Sequence, residues 1–115
     1  MSDPVVTMRQ NDTRPHLLAT LSDRNGVIDL TGETVRFVMK SSGGNAVIDT
    51  SSTDQVVPQG AAGTSGVVKY IWQEGDLAIA GAYLAEFELK DASSAKETFP
   101  NQGHIQVVVT PELST

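Results

Sequence analysis

Apolar side chains recur at every second position through most of this chain, in short runs broken by polar and glycine-rich turns. From Glu33 to Lys40, Val35, Phe37 and Met39 alternate with Arg36 and Lys40. From Gly66 to Trp72, Val68, Tyr70 and Trp72 oppose Val67, Lys69 and Ile71. Both faces of that run are partly apolar, which predicts a central or covered strand. The cleanest alternation runs from Gly81 to Asp91, where Tyr83, Ala85, Phe87 and Leu89 oppose Glu86, Glu88 and Lys90. Ile105, Val107 and Val109 repeat it between Gly103 and Thr110. A period of two is what a strand with one face on a core and one face in water requires.

Weaker segments complete the pattern. Residues 4–9 predict a first strand opened by Pro4, and proline is tolerated only at a strand start or an edge. From Pro15 to Asp23, Leu17, Ala19 and Leu21 share one face, with His16, Leu18, Thr20 and Ser22 on the other. Asp23-Arg-Asn-Gly26 predicts a tight hairpin turn, because Asn25-Gly26 tolerates positive φ. A brief return follows through Val27 to Leu30. Ala46 to Thr50 predicts a short strand, and residues 51–65 an exposed loop with one short edge strand at Val56 and Val57. Gln73 to Ala80 is the one helix candidate, a single turn. Lys96 to Phe99 returns the chain before the last strand.

About seven to nine short strands without a convincing helix predict an all-β fold, an immunoglobulin-like antiparallel β-sandwich, ahead of an up-and-down barrel. Its expected core is Leu17, Leu21, Val35, Phe37, Met39, Val68, Tyr70, Trp72, Tyr83, Phe87, Leu89, Ile105 and Val107. The stretch Asp76 to Tyr83 has the form of a tyrosine corner, in which a tyrosine opening a late strand hydrogen-bonds back to the preceding loop.

Length and composition narrow the reading. A chain of 115 residues supplies one two-layer core, so residues 1–115 are expected to form one domain, with its core at about 5–110 and short flexible ends. There is no cysteine, which excludes a disulfide framework, a thiolate nucleophile and cysteine-ligated zinc. The net charge is -6 and the eight basic residues are scattered, so no phosphate-tracking nucleic-acid surface is expected. No apolar run approaches the ~20 residues that span a bilayer, and Met-Ser-Asp-Pro lacks the features of a signal peptide. The expectation is a chain made in a cytoplasm and not held in a membrane. Asn11-Asp12-Thr13 then matches a glycosylation sequon only by chance.

Catalytic and metal-binding chemistry finds little support. His16 and His104 are far apart in sequence and read as ordinary imidazoles. Asp23-Arg-Asn25-Gly26 copies part of a calcium loop but lacks its remaining ligands and its terminal glutamate. Glu74 and Asp76, or Glu86 and Glu88, could form an acid–base pair on a sugar. The second pair, however, lies at i and i+2 on an outward strand face. A Gly-x-Ser-x-Gly elbow is absent, and the glycine-rich stretch from Gly60 to Gly66 leads into a strand, not a helix. The reading is a non-enzyme without catalytic residues, cofactor or metal.

The order and spacing of these runs carry a resemblance. Asp29-Leu-Thr-Gly-x-x-Val-x-Phe-x-Met39, Gly66-x-Val-x-Tyr-x-Trp72, Asp76, Gly81-x-Tyr83-x-Ala-Glu-Phe87 and Thr98-Phe-Pro100 together resemble the N-terminal domain of phage baseplate upper proteins and related small tail or neck proteins. The likeness spans roughly residues 5–110. It implies an immunoglobulin-like structural module of a tailed-phage virion, assembled in the host bacterial cytoplasm, often as a trimer or hexamer. Larger members carry fibre or receptor-binding segments after this domain. This chain ends about five residues past its last strand, so an adaptor or connector of tail, baseplate or neck is expected instead of a receptor tip. The expected partners are other virion structural proteins and copies of the chain itself. Candidate contacts are Val5, Val6 and Met8 on the first strand, Val56 and Val57 in the long loop, and Pro111 and Leu113 in the C-terminal segment. Alternatives are a capsid decoration protein, or a carbohydrate-binding, adhesin-like module for host glycans, which commonly needs an exposed aromatic platform or a calcium site.

Overall fold

The computed structural model describes residues 4–23, 26–30, 32–44, 46–58, 66–100 and 103–113. Within them the alternating runs become β1 (Val5–Arg9), β2 (Leu17–Thr20), β3 (Ser22–Asp23), β4 (Gly26–Val27), β5 (Thr34–Ser41), β6 (Ala46–Thr50), β7 (Val56–Pro58), β8 (Val67–Tyr70), β9 (Gly81–Lys90), β10 (Lys96–Phe99) and β11 (Ile105–Thr110). Nine of these build two packed sheets. The larger has the order β1-β11-β9-β5-β6, with β10 also on β9, and the smaller has the order β2-β8-β7. β3 and β4 form a separate small hairpin. The fold is an immunoglobulin-like β-sandwich with no helix among the described residues.

Strand β9 organises the larger sheet. Its ten residues pair with β5 along one side. On the other side, β11 pairs with Gly81 to Ala85 and β10 with Phe87 to Lys90, so the last two strands share one edge. Pro100 lies between them and has no N–H to offer a ladder. Every pairing is antiparallel except β1 with β11, which run parallel. This departs from the antiparallel expectation for a simple reason. After β1 the chain crosses to β2 in the other sheet, so β1 and β11 are not joined by a hairpin.

The core forms where the two sheets face each other. Phe37 and Phe87 are direct partners across β5 and β9, with ring centroids 4.9 Å apart. Tyr70 of β8 stacks on Phe37 at 4.3 Å, its plane inclined by 24°. Trp72 stands edge-on to Phe37 at 6.2 Å and to Tyr70 at 5.1 Å. Around this group are buried Leu17, Leu21, Val35, Met39, Val68, Tyr83, Leu89, Ile105 and Val107. Leu30 and Leu77, which the period-two pattern does not mark because they lie between strands, join the same cluster. All six aromatic residues of the chain are buried.

One local expectation changes. The helix candidate from Gln73 to Ala80 is a turn. The Asp76 carboxylate accepts the Gln73 N–H at 2.7 Å, the Asp76 N–H bonds the Gln73 carbonyl at 3.0 Å, and Gly75 sits at φ +92°. A side-chain acceptor that takes a backbone donor competes with a helix ladder, and the left-handed glycine ends it. At the first hairpin, Ser22 pairs with Val27 and Asp23 with Gly26, whose φ is +109°. Arg24 and Asn25, where the turn was expected, lie outside the described residues, as do residues 59–65 of the long loop.

Phe87→Ala removes a side chain with no solvent exposure, so it should lower unfolding free energy by ~3–5 kcal/mol. Leu113→Ala, at 93% exposure, should stay within about 0.5 kcal/mol. Urea unfolding followed by Trp72 fluorescence measures both.

Candidate interaction surfaces

With the aromatics inside, the surfaces available to a partner are one end of the sandwich, the outer face of the large sheet and the open sheet edges. The end is built by hydrogen bonds among three segments. Gln10 N–H bonds the Thr110 carbonyl at 2.8 Å and Asn11 N–H the Leu77 carbonyl at 2.9 Å. The Gln10 amide donates to the Ala78 carbonyl at 2.8 Å and accepts from Glu112 N–H at 3.2 Å. Asn11 Nδ2 donates to Glu112 Oε2 at 2.8 Å, and Arg9 Nη1 to the Pro111 carbonyl at 3.3 Å. The C-terminal segment is thereby fixed beside the turn before β9, while Ile79 and Leu113 stay 72% and 93% exposed.

Two tyrosines anchor that turn from inside. The Tyr83 hydroxyl donates to the Ile79 carbonyl, the bond of a tyrosine corner. The Tyr70 hydroxyl donates to Asp76 Oδ2 at 2.6 Å. Burial of the phenol, together with the Asp76 carboxylate beside it, raises the Tyr70 pKa well above its ordinary value. Asp76, weighed from sequence as a possible acid or base, is here a structural acceptor for Tyr70 and Gln73.

The outer face of the large sheet carries an ion-pair network. Arg36 forks onto Asp49 with two bonds of 2.7 Å and reaches Glu88 at 3.4 Å. Lys96 approaches the same Glu88 oxygen at 3.9 Å. The guanidinium holds the Asp49 carboxyl below its ordinary pKa. Beside the network lies a shallow depression of about 180 Å³ whose lining includes Val38, Lys40, Leu84, Glu86 and His104. His16 is half-buried elsewhere, and no group of three or more histidine, aspartate or glutamate side chains among the described residues could hold a metal.

The third surface is a groove of about 350 Å³ along β2. Its lining includes Val6, Leu21, Phe87, Phe99, Pro100 and Ile105, so the inner face of the large sheet floors it and β2 forms one wall. Among the described residues, β2 pairs only with β8.

The contacts expected from sequence separate in the structure. Val5 is 59% exposed on the outer face, Val6 is half-buried at the groove, and Val57 is half-buried on β7. Pro111 and Leu113 are exposed on the sandwich end. Met8 and Val56 are corrected: at 5% and 2% exposure both belong to the core. Met8 lies two residues beyond Val6 on the inner face of β1, and Val56 is the inward member of a short edge strand. Four exposed apolar residues went unmarked, Leu18, Val47, Ile79 and Leu84. Alternation alone places Leu18 and Leu84 on outward faces, which was the available signal; nothing in the turn sequence marks Ile79.

The chain is thus an all-β sandwich with a sealed aromatic core and apolar residues exposed at its surface. The chain matches the family model described as BppU N-terminal domain over residues 1–112, and it belongs to that family, the N-terminal domain of phage baseplate upper proteins. The family is a structural component of the phage virion. No curated protein matches the chain. Among solved structures, CopC from Methylosinus trichosporium OB3b is similar, with a TM-score of 0.51, 15% identity and coverage of 100% of this chain and 90% of that one. At that identity the likeness is one of fold.

Because the neutral phenol is favoured in the folded state, the raised Tyr70 pKa contributes stability that is complete below the ordinary tyrosine pKa of 10.0 and is lost as pH rises above it. Wild type should therefore lose stability relative to Tyr70→Phe above pH 10, with a constant difference between them at lower pH. Urea midpoints measured across that range check the sign.

Proposed function

We propose that this chain is a non-enzymatic adaptor subunit of a tailed-phage baseplate, a sandwich domain that joins neighbouring virion proteins within a symmetric assembly. The observation that carries the reading is the family match over residues 1–112. The surface agrees with it. Exposed Val5, Leu18, Val47, Ile79, Leu84 and Leu113 lie outside a core that holds every aromatic side chain, so these apolar residues are available for burial in an assembly. The same fact weakens the carbohydrate-binding alternative, because no aromatic ring is left as a platform for a sugar. A capsid decoration role would use the same kind of contact at another station, and the family match favours the baseplate.

The charge fits contact with protein. A net charge of -6 disfavours nucleic acid and speeds encounter with basic surfaces of neighbouring subunits. The segment Pro111 to Leu113, held by Gln10 and Asn11 beside the turn that carries Ile79, offers Ile79 and Leu113 as a docking face, and copies of the chain are expected in a trimer or hexamer around the tail axis.

A cryo-EM map of the particle that carries this chain should show the sandwich as a symmetric ring in the baseplate. Density for it on the capsid alone, or its absence from purified particles, would contradict the role. Ile79→Asp combined with Leu113→Asp should leave the isolated protein folded, since both side chains are exposed, and should reduce its incorporation into particles at least tenfold, a loss of about 1.4 kcal/mol in contact energy. Quantitative mass spectrometry of purified particles reads that loss.

A further inference from the structure

We propose that the free edge of β2, with the groove beside it, is an acceptor site for one extended segment of another baseplate protein, which adds to the small sheet as its fourth strand. The inference rests on the baseplate reading for the source of that segment, and on the following geometry for the site itself.

The backbone of β2 is half used. It pairs antiparallel with β8 in the register Leu17 to Tyr70, Leu18 to Lys69, Ala19 to Val68 and Thr20 to Val67. The Leu21 N–H bonds the Gly66 carbonyl at 2.7 Å, one step further in the same register. In an antiparallel ladder alternate residues exchange bonds, so Leu17, Ala19 and Leu21 face β8. The N–H and C=O groups of Leu18 and Thr20 then point to the open edge, the donor and acceptor spacing that a docking strand requires.

The side-chain surface matches. The large sheet has six strands and the small one three, so the inner face of β11 and β1 continues past the edge of β2. The groove floor there includes half-buried Val6 and Pro100 beside Ile105 and Phe99, which are themselves nearly covered. Ala19, the inward residue of β2 between Leu17 and Leu21, is too small to close the groove. Inward side chains of an added strand would fill the space and bury apolar area.

The same overhang selects the occupant. Neighbouring strands lie about 4.8 Å apart, so a second sandwich placed edge to edge at β2 would bring its own overhanging β1 into the space already held by β1 of the first. A helix cannot bond to a strand edge. A lone extended arm fits, with alternate apolar residues facing inward. Basic residues on its outer face would complement the net charge of -6.

The test uses the intact protein, labelled with 15N, and a synthetic peptide, Lys-Thr-Val-Thr-Val-Thr-Val-Thr-Lys, with a control of the same composition in which the valines are consecutive. In the free protein the Leu18 and Thr20 amides should exchange rapidly with solvent. With peptide at ten times its Kd, their exchange should slow about tenfold, with shifts in the Ala19 and Ile105 methyl signals, and the control should do neither. Ala19→Leu, which fills the groove, should abolish the protection; if that variant fails to fold, exchange in the wild type still decides. Unchanged exchange at Leu18 and Thr20, or equal protection by the control, would overturn the site. Concentration-dependent protection without peptide would assign the edge to a second copy and overturn the occupant. If the chain lies in the baseplate and the edge stays unprotected, the site fails while the baseplate role stands. Peptide protection in a protein absent from the baseplate would instead overturn the source of the arm.

Discussion

The stacking of Tyr70 on Phe37 is the contact on which the rest of the structure depends. It is where the two sheets meet: Phe37 comes from β5 of the large sheet, Tyr70 from β8 of the small one, and their rings are 4.3 Å apart. Phe87 supports Phe37 from the neighbouring strand, and Trp72 closes against both stacked rings. Each ring also fixes something beyond the core. Tyr70 reaches out through its hydroxyl to Asp76, which sets the turn leading towards β9. Tyr83, at the start of β9, holds the far side of that turn through the Ile79 carbonyl. Packing and backbone geometry are therefore coupled, and the turn that exposes Ile79 is a consequence of how the core is closed.

A core that takes in every aromatic side chain leaves a surface of charged residues and isolated aliphatics. Such a surface presents no aromatic ring. It suits contacts spread over edges, where backbone groups supply direction and a few exposed aliphatic residues supply burial. The mismatch between six strands and three adds a further property. One sheet extends beyond the other, and a groove floored by its inner face opens beside β2.

Much of the fold was legible from period-two alternation, because strands buried on one face must write their burial into the sequence. The runs around Phe37, Tyr70, Phe87 and Val107 carry it plainly, and the corner before Tyr83 is legible because it needs only one residue type at one strand start. What stayed hidden depends on partners distant in the chain. The parallel pairing of β1 with β11 follows from which sheet the chain enters next, which no local pattern encodes. Met8 and Val56 read as contacts because their segments look polar, yet each is the inward member of a short strand. That Asp76 bonds Tyr70 and Gln73 was equally hidden, since Tyr70 lies on a different strand run. The groove was the least legible feature, since it arises from the difference in strand number between two sheets.

A double-mutant cycle on Phe37 and Tyr70, with each changed to Leu singly and together and unfolding free energies taken from urea titrations, measures the central contact directly. Stacked aromatic pairs couple by about 0.5–1.5 kcal/mol beyond the area they bury, and a favourable coupling in that range is expected here. Additive losses, with no coupling between the two positions, would show that the sheets are held together elsewhere and would contradict it.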